Sequence, residues 1–367
     1  MGGRKPGDYP RTLAEFHHRF PDDEACLRYL VETRWPDGFR CPGCGRANAR
    51  LLSTRGVWQC RACRRQTSAT AGTVLHRTHQ PLTAWFTAAY LMTSLKPGIS
   101  ALQLQRQLGL ASFGTTWILL HKLRRAMLNP DRRRLAGTVE VDETWIGGRQ
   151  ADLKGGRQRR GRKALLVGVA VERRETSLGR LRLEVLPDAS HLTLGDFIVR
   201  NVEPGSTIVS DAWQGYAGLD PALYTHLPLS QAAMRRAGRE PDAVPGVHRV
   251  ISNLKTWLRG THHGVGADHL DHYLDEFVFR FNRRFYHDGR VRHPARPRHH
   301  LAAHPDRADP LAARGRRDRP ATGPLDRAHQ RPLHDRDHRA FVIGQHPGRS
   351  GRLTARHYML WCAEAIG

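Results

Sequence analysis

Residues 163–172 read KALLVGVAVE, and this nearly continuous apolar run is typical of a central strand in a sheet. Residues 138–142 (TVEVD) precede it and residues 180–186 (RLRLEVL) follow it, and both alternate apolar with polar side chains as half-buried strands do. These three stretches predict three sequential strands of one sheet.

Beyond these strands the spacing of apolar residues changes. Residues 193–199 predict a helix, residues 206–211 (STIVSD) predict a short strand that ends in an acid, and residues 252–258 and 268–284 predict further helices. Three strands, a helix, a strand and then helices are the element order of a layered α/β core. We therefore expect one α/β domain over residues 137–286.

Four of the six cysteines form two CxxC pairs, Cys41 with Cys44 and Cys60 with Cys63, separated by fifteen residues. This spacing is typical of a tetrahedral Zn²⁺ site with four thiolate ligands, which leaves no open position for water. We therefore predict a zinc ribbon over residues 36–75, in which the zinc is structural rather than catalytic. Redox-active or disulfide-bonded cysteines are the alternative.

Helical spacing of apolar residues flanks the ribbon on both sides. Residues 1–35 predict an N-terminal helical segment with two short helices, and residues 81–130 predict a helix–turn–helix-like DNA-binding region. The basic residues of its last helix favour contact with DNA, and they are Lys122, Arg124 and Arg125. The alternative is a helical hairpin that serves only for packing.

The charge of the chain points to a polyanionic partner. It has 59 Lys and Arg against 34 Asp and Glu, a formal net charge of +25, and nucleic acid is the commonest partner of such a surface. No run of 18 apolar residues and no apolar signal core is present, so we expect neither a membrane span nor secretion. The composition therefore predicts a nucleic-acid partner for a protein that is neither secreted nor embedded in a membrane.

The composition changes abruptly near residue 288. Residues 288–367 contain 16 Arg, no Lys, nine His and eight Pro, with little apolar periodicity. Such a segment buries too little apolar surface to offset its ordering entropy, so we predict a disordered tail. Out-of-frame translation of GC-rich DNA gives this composition, which favours a frameshift near residues 286–290; a genuine basic DNA-binding tail is the alternative.

Two aspartates stand at predicted strand ends, Asp142 in VEVDETWIGG and Asp211 in IVSDAWQGY. A strand end is a rigid mount for a metal ligand, and two aspartates on adjacent strands can share Mg²⁺. Two such ions stabilise the attacking and the leaving oxygen of a phosphodiester displacement. Each aspartate taken alone is more often a cap or a salt-bridge partner.

An ordered series of motifs resembles the insertion-sequence transposases with an N-terminal zinc ribbon, which belong to the DDE recombinase superfamily. The motifs are FRCPGCG (residues 39–45), VEVDETWIGGR (139–149), VSDAWQGY (209–216), SNLKTWLRGTHHGV (252–265) and YLDEFVFRFNRR (273–284). The resemblance covers about residues 10–286. It implies an RNase H-like mixed sheet with flanking helices, catalytic Mg²⁺ or Mn²⁺, and strand cleavage and strand transfer at element ends. It also implies double-stranded DNA as the partner, a homo-oligomer in the synaptic complex, and a bacterial cytoplasmic location in association with the nucleoid.

By match to these motifs, Asp142 is the first catalytic acid and Asp211 is the second. The third position departs from the three-acid pattern and resembles a variant in which Asn253 and Lys255 stand in the equivalent helix. Asn253 would bind the metal through its carbonyl oxygen, and Lys255 would neutralise negative charge on the phosphate. His248 and Glu276 stay open as alternative third ligands, and Asn253 is alternatively a helix cap.

Two other functions fit parts of the pattern. A non-catalytic zinc-ribbon DNA-binding protein, or an inactive transposase remnant, would keep the ribbon and the basic charge without metal-dependent cleavage. An RNase H-like nuclease of repair or of RNA would cleave without specificity for element ends. The enzyme and the binding protein differ in whether Asp142, Asp211 and Asn253 lie close enough to share a metal.

Overall fold

The computed structural model describes residues 12–127, 132–147, 165–236 and 242–284, together with residues 10 and 238. The predicted tail, residues 288–367, and the predicted frameshift lie outside these residues. In the described part of the chain, no helix is long and apolar enough to cross a membrane.

Two short helices open the described chain, α1 (Leu13–Arg19) and α2 (Asp23–Arg34). The Thr12 hydroxyl accepts a hydrogen bond from the Glu15 backbone N–H at 3.1 Å, and the Asp22 carboxylate accepts one from the Ala25 N–H at 2.8 Å. Such N-caps each contribute about 1 kcal/mol. The two helices predicted within residues 1–35 therefore begin at capping residues.

The ribbon is a small antiparallel sheet of β1 (Ala49–Leu52), β2 (Val57–Cys60) and β3 (Gln66–Ser68). Most of its side chains are exposed or half-buried. The ring of Trp58 lies 5.1 Å from that of Trp35, which follows α2. Because a sheet this small buries little apolar surface, it needs a cross-link such as a metal ion to be stable.

Three helices follow the ribbon, α3 (Leu82–Ser94), α4 (Ala101–Leu108) and α5 (Phe113–Ala126). The ring centroids of Phe16 and Tyr90 lie 4.6 Å apart, and those of Phe20 and Phe86 lie 4.8 Å apart. Helices α1 and α2 therefore share one hydrophobic core with α3 and α5. The segments predicted separately as residues 1–35 and 81–130 pack as one helical body.

The remaining elements form the α/β core. They are β4 (Thr138–Ile146), β5 (Leu165–Arg173), β6 (Leu178–Leu186), α6 (His191–Asn201), β7 (Thr207–Ser210), β8 (Thr225–Pro228), α7 (Gln231–Arg236), α8 (Pro245–His262) and α9 (Leu270–Arg283). Among the described residues, the strand order of the sheet is β6-β5-β4-β7-β8. Strands β4, β5 and β6 are antiparallel, and β7 and β8 run parallel to β4. This is the RNase H-like mixed sheet that the resemblance implies.

Helices cover both faces of this sheet. Val139 and Val141 of β4 pack with Phe197 and Ile198 of α6 on one face, whereas residues of β5 and β6 pack with α8 and α9 on the other. Strand β5 is buried along nearly its whole length, which explains its continuous apolar sequence. The prediction missed the short edge strand β8, whose THLP sequence has no strand-like pattern.

Candidate active site

The ribbon cysteines converge as the spacing predicts. The four Sγ atoms of Cys41, Cys44, Cys60 and Cys63 all lie within 4.8 Å of one another. The Sγ atoms of Cys41 and Cys63 are 3.4 Å apart, and those of Cys44 and Cys60 are 3.6 Å apart. These separations are too long for disulfides and close to the roughly 3.8 Å expected between thiolates bound tetrahedrally at 2.3 Å.

Backbone N–H groups at the first knuckle support a thiolate. The N–H of Gly43 donates to the Sγ of Cys41 at 3.4 Å, and this hydrogen bond is the main cause that lowers the pKa of the Cys41 thiol. A metal ion takes the deprotonated form of cysteine as its ligand. The four cysteines therefore suit a structural metal ion.

Asp142 lies within β4, not at a strand end as predicted, and Asp211 directly follows the neighbouring parallel strand β7. Glu140 of β4 pairs with Val209 of β7. When this pairing is continued by two residues, Asp142 lies next to Asp211, the residue just beyond β7. Adjacent strands lie about 4.8 Å apart, and residues in register point to the same face. Asp142 itself is 7% exposed. Both predicted acids are therefore next to each other on the face of the sheet that α8 covers.

His248 of α8 is the third group at this position. Its Nε2 lies 3.2 Å from the Oδ2 of Asp142, and its Nδ1 lies 2.6 Å from the Oδ2 of Asp242. The hydrogen bond to Asp142 is the main cause that raises the pKa of His248 to about 9, while burial opposes the rise and Asp242 adds to it. The acids of the site thus stabilise positive charge at this point.

Glu140 fixes the position of α8 on the sheet. Its buried carboxylate accepts a hydrogen bond from the Val247 N–H at 3.0 Å, where the unpaired N–H groups of a helix start favour negative charge. Gly246 permits this approach, since a Cβ there would lie 2.6 Å from Leu178 Cδ2 and 2.7 Å from Glu140 Oε2. This contact brings the first turn of α8, with His248, to Asp142.

The side of α8 that faces Asp142 carries His248 and Lys255. These residues are seven apart, which is nearly two full helical turns. Lys255 is half-buried, and its pKa is lowered by burial and by Arg259, while Asp142 acts in the opposite direction. The carboxylate of Asp142 therefore lies within electrostatic range of the Lys255 ammonium.

The predicted ligand Asn253 occupies another side of the same helix. It is exposed, and five residues of separation set it roughly 140° around the helix axis from His248. The geometry brings Asp142, Asp211, His248 and Lys255 together and does not bring Asn253 with them. The assignment of Asn253 as a metal ligand stays a prediction without support from this arrangement.

The turn after Asp211 is tied to strand β4. The Trp213 N–H donates to the Oδ1 of Asp211 at 3.1 Å, and Ala212 between them has a φ of 63°. Tyr216 is buried, and its hydroxyl donates to the Oε2 of Glu143 at 2.8 Å. Burial raises the pKa of Tyr216 well above its usual value, and Glu143, Asp142 and Asp211 raise it further. The environment of these acids is therefore strongly negative.

Glu276, the other open alternative for a third ligand, is in the helical layer instead. Its carboxylate is fully buried and lies 2.8 Å from the Nε of Arg124 and 3.6 Å from Arg280. The expectation that Arg124 faces DNA is wrong, because its side chain is 1% exposed and forms this ion pair. The pair instead joins α5 to α9.

Comparison with known sequences agrees with this geometry. The sequence model of an ISXO2-like transposase domain matches residues 134–282, and that of a transposase zinc-ribbon domain matches residues 21–66. The two matches together cover more than half of the chain. The chain belongs to the zinc-ribbon DDE transposases of insertion sequences. The resemblance seen in the sequence motifs is thereby confirmed.

A curated relative agrees with this membership. The transposase is 25% identical over 281 residues to a Halobacterium salinarum protein described as an uncharacterized protein in transposable element ISH50. The alignment covers 71% of this chain and 91% of the relative. No solved structure matched the transposase. The transposase domain begins just before β4 and ends within α9, so it includes Asp142, Asp211 and His248.

Proposed function

We propose that this transposase cleaves DNA strands at the ends of its insertion sequence and joins them to target DNA, with divalent metal ions held by Asp142, Asp211 and His248. The observation that carries the proposal is that the Nε2 of His248 lies 3.2 Å from Asp142, beside an Asp211 that is level with Asp142 on the next strand. The two carboxylates suit Mg²⁺ or Mn²⁺, and the imidazole adds one nitrogen ligand beside them.

The residues around the proposed site have distinct tasks. A bound divalent ion supplies Lewis-acid stabilisation of the charge that develops on the phosphodiester. Asp242 accepts a hydrogen bond from the Nδ1–H of His248, which orients the ring and leaves Nε2 toward Asp142, as carboxylates commonly do behind metal-bound histidines. Lys255, two turns along the same side of α8, contacts a phosphate oxygen and offsets its charge.

The proposal makes His248, rather than Asn253, the third ligand. Replacing His248 with Ala is expected to lower metal-dependent strand cleavage at least about a hundredfold, because a lost ligand weakens both metal binding and orientation. Replacing Asn253 with Ala is expected to change cleavage by less than about threefold, since an exposed side chain away from the site contributes little. Initial cleavage rates of the two variants under identical Mg²⁺ concentrations measure the difference.

The opposite order, with Asn253→Ala inactive and His248→Ala active, would restore the Asn253 assignment. Circular dichroism spectra that match the wild type are the control for folding of both variants. His248→Asn is a second informative variant, because its amide oxygen can replace the imidazole nitrogen as a metal ligand and should preserve more activity than His248→Ala.

We propose that the ribbon metal is Zn²⁺. Replacing Cys60 with Ser is expected to remove the bound zinc and to unfold β1–β3, because structural zinc sites supply about 10–16 kcal/mol of binding free energy that is also folding free energy. Elemental mass spectrometry measures the bound zinc, and the rate of proteolysis within residues 36–75 measures unfolding of the ribbon. Cys26→Ser, at a buried cysteine outside the cluster, is the matched control and should retain the zinc; a ribbon that stays folded without metal would contradict the proposal.

We propose double-stranded DNA as the partner, in part through α4 and α5. The start of α5 is exposed, with Phe113 half-exposed and Ser112 at the N-cap, and the N-terminal residues of a recognition helix are those that contact bases. The net charge of +25 supports binding to the phosphate backbone. A homo-oligomer at paired ends and a cytoplasmic, nucleoid-associated location remain parts of the proposal.

Incubation of the full chain with the DNA that flanks its gene tests the proposed function. The transposase is expected to cut at the element ends in Mg²⁺ or Mn²⁺ and to release a 3′-hydroxyl. Specific binding of that DNA without any cleavage would favour the non-catalytic DNA-binding protein or inactive copy. Cleavage without preference for the ends would favour the repair nuclease.

A further inference from the structure

Three histidines form a cluster between the helical body and the α/β core, away from the site described above. His121 lies on α5, His269 immediately precedes α9, and His272 lies in the first turn of α9. One ring nitrogen from each lies within 4.8 Å of the others. The Nδ1 atoms of His121 and His272 are 2.9 Å apart.

We propose that His121, His269 and His272 bind a second transition-metal ion, such as Zn²⁺, which joins α5 to α9. Histidines three residues apart on one helix turn lie on the same side of that helix, and imidazole is a preferred ligand of Zn²⁺. Nitrogens bound tetrahedrally at 2.0–2.1 Å are about 3.3 Å apart. The observed separations, 2.9 Å between two Nδ1 atoms and at most 4.8 Å within the cluster, lie on either side of that value.

The cluster leaves hydrogen-bonding capacity unused inside the protein. His121 is buried, and its Nε2 is among the buried polar atoms without a hydrogen-bond partner in the described part of the chain. A neutral imidazole has one donor and one acceptor nitrogen, so a single hydrogen bond between two Nδ1 atoms satisfies only half of each ring. Buried polar groups of this kind often mark an ion or ordered water that completes the site.

Neutral imidazoles are the form that a metal ion binds. Burial is the main cause that lowers the pKa of His121 to about 3, with Arg124 and His272 adding to the effect. Burial likewise lowers the pKa of His272, with Arg125 and His269 adding to it. Burial therefore favours the neutral form of both rings, which is the form that can bind a metal ion.

Two arginines, Arg124 and Arg125, lie close enough to lower the pKa of these histidines, and one of the two is paired inside the protein. Arg124, one turn beyond His121 on α5, forms the buried ion pair with Glu276 at 2.8 Å. Its guanidinium also stacks on the ring of Tyr273 at 4.0 Å. Repulsion between Arg124 and a cation at the three histidines is thereby reduced.

A metal ion at this point would act as a structural link. Helix α5 belongs to the proposed DNA-binding element, and α9 packs on β6 on the same face of the sheet as α8. A His121–metal–His272 bridge would fix the orientation of the DNA-binding helices relative to Asp142 and Asp211. The site is separate from the ribbon and from the proposed active site, so its occupancy can be measured independently.

Metal stoichiometry of the full chain tests the proposal. The wild type, the double variant His269→Gln/His272→Gln and the control His191→Gln are stripped of metal and titrated with Co²⁺. All three also carry Asp142→Asn, which weakens metal binding at the active site, so that its titration separates from that of the histidine cluster. The protein with the intact histidine cluster and the His191→Gln control are expected to bind two equivalents of Co²⁺, and the double variant is expected to bind one. The charge-transfer band of the ribbon thiolates should be the same in all three proteins.

Equal stoichiometry in the double variant and the control would overturn the proposal and leave the cluster a neutral packing contact. If the double variant fails to fold, the single variant His272→Gln takes its place. It is expected to weaken binding of the second Co²⁺ at least about tenfold, and unchanged affinity would overturn the proposal equally.

Discussion

Replacing Asp142 with Asn is expected to lower Mg²⁺-dependent cleavage of element ends by about a thousandfold or more while the fold is retained. The substitution keeps the size of the side chain but removes the charge that binds the ion and that pairs with His248 at 3.2 Å. A metal ion contributes several kcal/mol of transition-state stabilisation, and each 1.36 kcal/mol corresponds to a factor of ten in rate. Single-turnover cleavage of an end-labelled duplex measures the loss.

The matched control is Asp196→Asn, the same change at an exposed position on α6. It should leave the rate within about twofold of the wild type, as surface substitutions generally do. A fully active Asp142→Asn variant would remove Asp142 from the catalytic site. Asp211→Asn should show the same loss as Asp142→Asn, because both residues serve one metal site.

Replacing Arg124 with Ala is expected to destabilise the protein by at least about 3 kcal/mol, because it leaves the buried carboxylate of Glu276 without its main partner. The two side chains are 1% and 0% exposed and lie 2.8 Å apart. The variant also loses the stacking of the guanidinium on Tyr273. Urea denaturation followed by circular dichroism measures the change in the free energy of unfolding.

Two variants separate the ion pair from simple loss of packing. Arg28→Ala breaks the exposed pair with Glu24, whose side chains are 65% and 84% exposed, and should cost less than about 1 kcal/mol. The double variant Arg124→Leu/Glu276→Leu should be more stable than Arg124→Ala, since it removes the uncompensated charge. Equal stability of Arg124→Ala and the wild type would show that Glu276 is satisfied without Arg124.

The strands and the ribbon are predictable from sequence because their signals are local. The apolar run in residues 163–172 and the alternation in residues 180–186 indicate which faces of the strands are buried. The ends of β5 and β6 lie within two residues of the ends of these stretches. The CxxC spacing likewise predicts a metal site, because all four ligands lie within one short segment. Strand β8 lacks such a signal, because it is a four-residue edge strand with mostly exposed side chains.

The third group of the candidate site depends on tertiary structure. Asp142 and Asp211 are recognisable from their local motifs. The prediction that each stands at a strand end holds for Asp211, which directly follows β7, and is wrong for Asp142, which lies within β4. The side of α8 that faces them is set by the contact between Glu140 and Val247. The sequence resemblance favours Asn253, and only the rotation of α8 brings His248 to Asp142. A helical-wheel comparison of His248 with Lys255 is the one sequence signal that groups the two.

The role of Arg124 likewise cannot be predicted from the local pattern of charges. A basic residue on a predicted DNA-binding helix is most simply interpreted as a phosphate contact, and residues of this type are rarely buried unless paired. Its partner Glu276 is 152 positions away in the sequence, so no local pattern reveals the pair. Interpretation of charge therefore fails where an ion pair links distant helices.

Binding of Mn²⁺ to the full chain, followed by electron paramagnetic resonance with the ribbon zinc in place, tests the shared metal site most directly. The wild type and Asn253→Ala should bind Mn²⁺ with equal affinity, and Asp142→Asn, Asp211→Asn and His248→Ala should each bind at least about tenfold more weakly. Equal affinity in all five proteins would contradict a metal site formed by Asp142, Asp211 and His248.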